Sequence, residues 1–114
     1  MMLASKLQIS SGEQVRLVNA PNGFSIEAPL SAEREAEALV AFVSNRDELA
    51  EHKGEVVDHG QRDHLTWVAY PTAGQLDTDL NRDIVHAAFE AHGLRTGRQV
   101  AVGDAWSALR LRPS

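Results

Sequence analysis

The chain has 114 residues, with 11 Lys and Arg against 16 Asp and Glu, and its formal net charge at pH 7 is −5. This length is that of one ordinary domain, and 43% apolar with 24% charged residues is typical of globular proteins. These values exclude a disordered tail, a collagen-like chain and a two-domain enzyme, so we treat residues 1–114 as a single domain.

Cysteine is absent from the sequence, which excludes disulfides, a thiol nucleophile and thiolate metal sites. The start, Met1–Lys6, lacks the apolar core of a signal peptide, and no segment approaches the roughly 20 apolar residues of a membrane span. We therefore expect a cytoplasmic protein that does not contact the membrane. The negative net charge argues against a nucleic-acid partner.

The first half of the chain predicts two strands and a helix. Residues 1–13 read as an N-terminal arm or a single helical turn, and residues 14–20 form a first strand that stops at the turn residues Pro21-Asn22-Gly23. The continuous apolar run 38–43 is typical of a strand buried on both faces. Either Ser44 or Asn45 then caps a helix over about 46–58.

The second half predicts a strand, a helix and a hairpin. Residues 64–70 form the third strand, which Pro71 ends, and Thr78 is the expected N-cap of a helix from Asp79 to about His92. Residues 98–102 and 106–111 form two strands whose connection is short enough for an antiparallel hairpin. This alternation predicts an α/β fold: a three-layer, mostly parallel five-stranded Rossmann-like sheet with a C-terminal antiparallel hairpin.

Four segments, taken in order, carry a family resemblance. They are Val15–Phe24, Ala38–Val43, Leu65–Pro71 with Thr78–Asp83, and Val100–Arg110, which contains Trp106-Ser107. Together they resemble the bacterial family called domain of unknown function 3052, over nearly the whole chain. The resemblance implies a fold similar to part of a Rossmann-type methyltransferase.

By the same resemblance, the final strand is expected to insert between the third strand and residues 98–102. The implied sheet order is 14–20, 38–43, 64–70, 106–111, 98–102. The chain departs from the family pattern at two places: Thr72 stands where Lys is usual, and Gly103-Asp104-Ala105 stands where an acidic pair is usual.

Motifs for cofactor, metal or nucleophile chemistry are missing. The first strand is followed by Asn19-Ala20-Pro21-Asn22-Gly23, which has one glycine and no G-x-G-x-x-G. His52, His59 and His64 lack the spacing of metal ligands, and no G-x-S-x-G elbow occurs. We therefore assign no cofactor, no metal and no catalytic residue.

Ligands of open α/β sheets bind beyond the carboxyl ends of the parallel strands. The polar residues expected at that crevice are Asn19, Asn22, Ser44, Asn45, Arg46, Tyr70, Thr72, Asp77 and Thr78.

The sequence favours a non-enzymatic cytosolic domain that binds a protein partner or forms a homodimer. The alternative is a degenerate methyltransferase-like domain that binds a nucleotide-derived small molecule. We interpret Trp67 as core, whereas Trp106, next to a turn, is either core or the lining of a pocket or dimer surface. The arginines of the closing strands, Arg95, Arg98, Arg110 and Arg112, are interpreted as a solvated rim, with nucleic-acid contact as a weaker alternative.

Overall fold

One mixed sheet organises the chain, and the computed structural model describes residues 2–33, 36–72 and 77–114. The strands are β1 (Val15–Val18), β2 (Ala38–Phe42), β3 (Leu65–Pro71), β4 (Leu94–Val102) and β5 (Trp106–Pro113). The helices of the described residues are α1 (Leu3–Lys6), α2 (Arg46–Gln61) and α3 (Arg82–Glu90).

The strand order across the sheet is β1-β2-β3-β5-β4. Strands β1, β2 and β3 pair in parallel, whereas β5 pairs antiparallel with both β3 and β4. The predicted strand order is confirmed, including the insertion of the last strand between β3 and β4, and so is the closing hairpin.

The predicted three-layer, mostly parallel Rossmann-like fold is wrong. Two of the four strand pairings are antiparallel, and helices α2 and α3 both pack on one face of the sheet, in a cluster that also contains Leu39 and Val68. The opposite face is covered by the N-terminal arm, residues 2–13, and by the segment from Phe24 to Ala28. The described part of the β1–β2 connection contains no helix, so the second helical layer never forms.

Asparagine side chains cap the starts of α2 and α3. Of the two predicted caps of α2, Ser44 and Asn45, it is Asn45 that caps the helix, its Oδ1 accepting from the Glu48 N–H at 2.8 Å. Helix α3 begins later than expected, because Asn81, and not Thr78, is its cap and accepts from the Ile84 N–H at 2.9 Å. The Thr78 hydroxyl instead donates to the Ser44 carbonyl at 2.8 Å.

The N-terminal arm completes the hydrophobic core on the sheet face opposite α2 and α3. Trp67 is fully buried beneath it, and its indole Nε1 donates to the Leu7 carbonyl at 2.9 Å. The Lys6 ammonium donates to the Ala101 carbonyl at 3.0 Å, which ties the arm to β4. The prediction that Trp67 is a core residue is confirmed.

A buried histidine joins α2 to the sheet. His59 is 3% exposed, with Nδ1 lying 2.7 Å from the Thr66 hydroxyl oxygen and Nε2 lying 3.0 Å from the Ala36 carbonyl oxygen. Burial lowers the pKa of His59 below its ordinary value of 6.5, because desolvation penalises the imidazolium.

Acidification is expected to destabilise the protein through His59. Below pH 6.5 the unfolded chain binds a proton at this residue more readily than the folded chain, so the free energy of unfolding falls as the pH decreases. Urea denaturation between about pH 5 and about pH 8 measures this slope. His59→Gln should flatten it, whereas His92→Gln, at an exposed residue, should leave it unchanged. An undiminished slope in His59→Gln contradicts the assignment.

Candidate functional site

The carboxyl ends of β1 and β2 meet at a network centred on Glu48. Its Oε1 accepts from the Ser44 N–H and hydroxyl, both at 2.8 Å, and from the Asn19 amide at 2.9 Å. These hydrogen bonds, led by the Ser44 N–H, lower the pKa of Glu48 below 4.5. The Asn19 amide also donates to the Phe42 carbonyl at 2.8 Å, so both predicted ligand-binding side chains hydrogen-bond within the chain.

The N-terminus of α2 is occupied in the same way. The Arg46 N–H donates to the Asp79 carboxylate at 2.9 Å, and the Asn45 side chain accepts from the Glu48 N–H in the same first turn. Helix N-termini attract phosphate groups because their N–H groups lack partners. Here side chains of the protein already bond the Arg46 and Glu48 N–H groups, so a phosphate at Arg46 would have to displace the Asp79 carboxylate.

The other residues predicted to bind a ligand lie partly at the carboxyl ends of the parallel strands and partly in the hydrophobic core. Thr78 joins the network through Ser44, and Thr72 pairs with the Ser107 hydroxyl at 3.0 Å. Tyr70 is buried and hydrogen-bonds to Gln99 at 3.3 Å, so it packs in the core and not in the crevice. Burial raises the pKa of its hydroxyl. Asp77 is exposed, next to residues 73–76, which lie outside the described chain.

Asn22 connects two cavities beside this network. The smaller, about 280 Å³, is lined in part by Asn19, Ser44 and Glu48. The larger, which we call the Trp106 groove, has a volume of about 480 Å³ and shares Pro21, Asn22 and Trp106 with the smaller. The side chains that make it mainly apolar are Leu3, Pro21, Phe24, Val102, Ala105 and Trp106.

Aromatic packing fixes two walls of the Trp106 groove against the hydrophobic core. The ring of the fully buried Phe42 lies 5.2 Å from that of Trp106 and 4.8 Å from that of Phe24, both edge to face. Trp106 itself remains half-buried. The structure therefore places Trp106 at a pocket wall, which is one of the two readings the sequence left open. Sequence reasoning missed Leu3 and Phe24 as neighbours of Trp106, because both are distant from it in the sequence and meet it only in the folded chain.

A second site lies toward the other end of the sheet. Arg95 pairs with Arg112 across the β4–β5 hairpin, and the β4 register shifts between Thr96 and Gln99. A cavity of about 380 Å³ opens there, which we call the arginine cavity. It is lined by Gln8, Arg95, Thr96, Gly97, Arg98, Arg110 and Arg112.

The four arginines of the cavity form no ion pair among the described residues, although the Asp63 carboxylate lies close enough to attract Arg110. Arg110 donates from Nη1 to Gln8 at 2.8 Å, whereas its buried Nε has no hydrogen-bond partner. Burial, followed by repulsion from Arg112, lowers the pKa of Arg110. The interpretation of these arginines as a rim missed the cavity between them.

The described part of the chain offers no support for metal binding or for a membrane-spanning helix. It holds no group of three or more His, Asp or Glu side chains placed to bind a metal ion. None of its helices combines the length and apolarity needed to cross a bilayer. No protein-family model, curated protein or solved structure matches the sequence or the fold. The resemblance to domain of unknown function 3052 thus stays a prediction, and the function has to be argued from the two cavities.

Proposed function

We propose that the protein is a non-enzymatic interaction domain that forms a homodimer through the Trp106 groove. The observation that carries this proposal is a half-buried tryptophan in a mainly apolar groove at the surface. The Trp106 indole N–H has no hydrogen-bond partner among the described residues. Tryptophan is enriched at protein interfaces, where it supplies a large apolar area and one hydrogen-bond donor.

A second copy of the chain is the occupant that fits the groove. Met2 is 57% exposed and directly precedes Leu3, which lines the groove. In a two-fold symmetric dimer the same patch faces itself, so Met2 of each copy can enter the groove of the other. Methionine adapts its shape to an irregular apolar cavity. A stable dimer needs about 800 Å² of buried surface on each partner. The accessible surface of one chain is 6057 Å², so an interface of that size covers a minor part of it.

A non-enzymatic role is supported by the network around Glu48. Asn19, Ser44 and Thr78 direct their hydrogen bonds within the chain, and Asp79 covers the start of α2. This arrangement disfavours the alternative, a nucleotide-derived small molecule, because phosphate would meet carboxylates there.

Sedimentation equilibrium from micromolar to millimolar protein tests the dimer. The wild type is expected to associate, while Trp106→Ala weakens association by about 30-fold or more, as for an interface residue worth about 2 kcal/mol. Met2→Glu should weaken it comparably without disturbing the core. Leu30→Glu is the matched control, because Leu30 is 62% exposed and does not line the groove.

Two results would contradict the proposal. A monomer at every concentration excludes the dimer, and an equal loss in Leu30→Glu shows that the groove is not the interface. A thermal shift with S-adenosylmethionine that Arg98→Gln does not diminish would favour the alternative. A ligand at about 100 times its Kd adds roughly 2.7 kcal/mol of stability.

A further inference from the structure

We propose that the arginine cavity binds a small molecule through a phosphate or diphosphate group. This inference is independent of the dimer, because the cavity and the Trp106 groove have no lining residue in common.

The first argument is a concentration of positive charge that no ion pair compensates; the one carboxylate that attracts Arg110, Asp63, is not paired with it. Four guanidinium groups surround one cavity of a chain whose net charge is −5, and no carboxylate among the described residues pairs with them. Arg95 and Arg112 face each other in register, so repulsion between them acts at short range. An anion held between the arginines removes this repulsion.

The second argument is the supply of hydrogen-bond donors. Guanidinium groups bind phosphate through two parallel N–H donors. The Arg110 Nε lacks a partner although it is buried, and buried polar groups are normally hydrogen-bonded. Gly97 and Arg98 have no partner in the β5 register, since β4 skips them between Thr96 and Gln99. Both residues line the cavity, so the irregularity of β4 lies at the same site as the four arginines.

The third argument is size, which favours a small molecule over nucleic acid. A volume of about 380 Å³ lies in the range of small-molecule sites, about 300–1,000 Å³. A nucleic acid requires a basic track along several phosphates, whereas these arginines converge on one cavity. A phosphate monoester carries about −1.5 to −2 charges at pH 7 and has three acceptor oxygens. Several guanidinium groups can therefore bind one phosphate more completely than they can bind a ligand with a single carboxylate.

Isothermal titration calorimetry with pyrophosphate at low salt tests the site. Wild-type protein is expected to bind, and Arg98→Gln and Arg112→Gln should each weaken binding about tenfold or more, as expected for a charged hydrogen bond. Both arginines are exposed, so their replacement should leave the fold intact. Arg82→Gln on α3 is the matched control, since it makes the same charge change outside the cavity. Arg112→Lys should bind with intermediate affinity, because it keeps the charge and loses the paired donors.

Parallel titrations identify the source of the phosphate. If ADP binds more tightly than pyrophosphate and depends on the same arginines, the ligand is a nucleotide, whereas equal affinity indicates a site for the diphosphate group alone. Either result supports the proposal. No binding at millimolar pyrophosphate, an equal loss in Arg82→Gln, or tighter binding of citrate would overturn it. It would also be overturned if a single-stranded oligonucleotide bound through Arg98 and Arg112 while pyrophosphate did not.

Discussion

Trp67→Ala is expected to lower the free energy of unfolding by about 3–5 kcal/mol, the range for deleting a large aromatic core side chain. Trp67 is fully buried in the centre of β3, among residues of β2, β5 and the N-terminal arm. Its removal leaves a cavity, and the Leu7 carbonyl loses the hydrogen bond that the indole N–H donates to it. Urea denaturation followed by circular dichroism measures the loss.

Trp67→Phe separates the two contributions to that loss. The phenyl ring retains most of the apolar contact and removes the hydrogen bond to Leu7, so about 1–2 kcal/mol is expected. If Trp67→Ala costs less than about 1 kcal/mol, the arm does not pack on the sheet as described.

Glu48→Ala is expected to cost about 2–3 kcal/mol, because it removes one acceptor from three hydrogen bonds at the start of α2. The effect should depend on pH. The pKa of Glu48 is lowered in the folded chain, so its contribution is present above pH 4.5 and is lost as the pH falls below that value. Chemical denaturation of both proteins near pH 7 and near pH 3 measures the difference.

Two further variants serve as references for Glu48. Glu48→Gln keeps an acceptor oxygen and should cost about 1 kcal/mol. Glu51→Ala changes an exposed residue of the same helix and should stay within about 0.5 kcal/mol of wild type. Equal stability of Glu48→Ala and Glu51→Ala would show that the network contributes nothing.

Strand positions and strand order could be predicted because they depend on apolar runs and short connections. The run 38–43 became β2, whose five residues are all buried, and the Gly103-Asp104 turn joins β4 to β5. The layer arrangement could not be predicted, because a buried run does not specify what covers each face. On one face α2 and α3 supply that cover; on the other it comes from the arm and the segment from Phe24 to Ala28, which no sequence pattern assigns to that face.

The candidate site was predicted less well, for a related reason. Asn, Ser, Thr and Asp are the residues of polar crevices and also of helix caps and turns. Asn45 and Ser44 turned out to serve the start of α2. For the arginine cavity, Arg110 and Arg112 alternate on β5, so the sequence indicates that they share a face. Arg95 and Arg98 join them only through the hairpin register and its irregularity, which no local pattern specifies.

The order in which this fold can assemble follows from the N-terminal arm. Its partners are distant in sequence: Leu7 contacts Trp67, Lys6 contacts Ala101, and Gln8 contacts Arg110, 60, 95 and 102 residues away, respectively. During synthesis the arm therefore leaves the ribosome well before the residues on which it docks. Until the arm docks, the apolar face around Trp67 lies open to solvent and to other nascent chains, which makes the interval before docking the period of greatest aggregation risk.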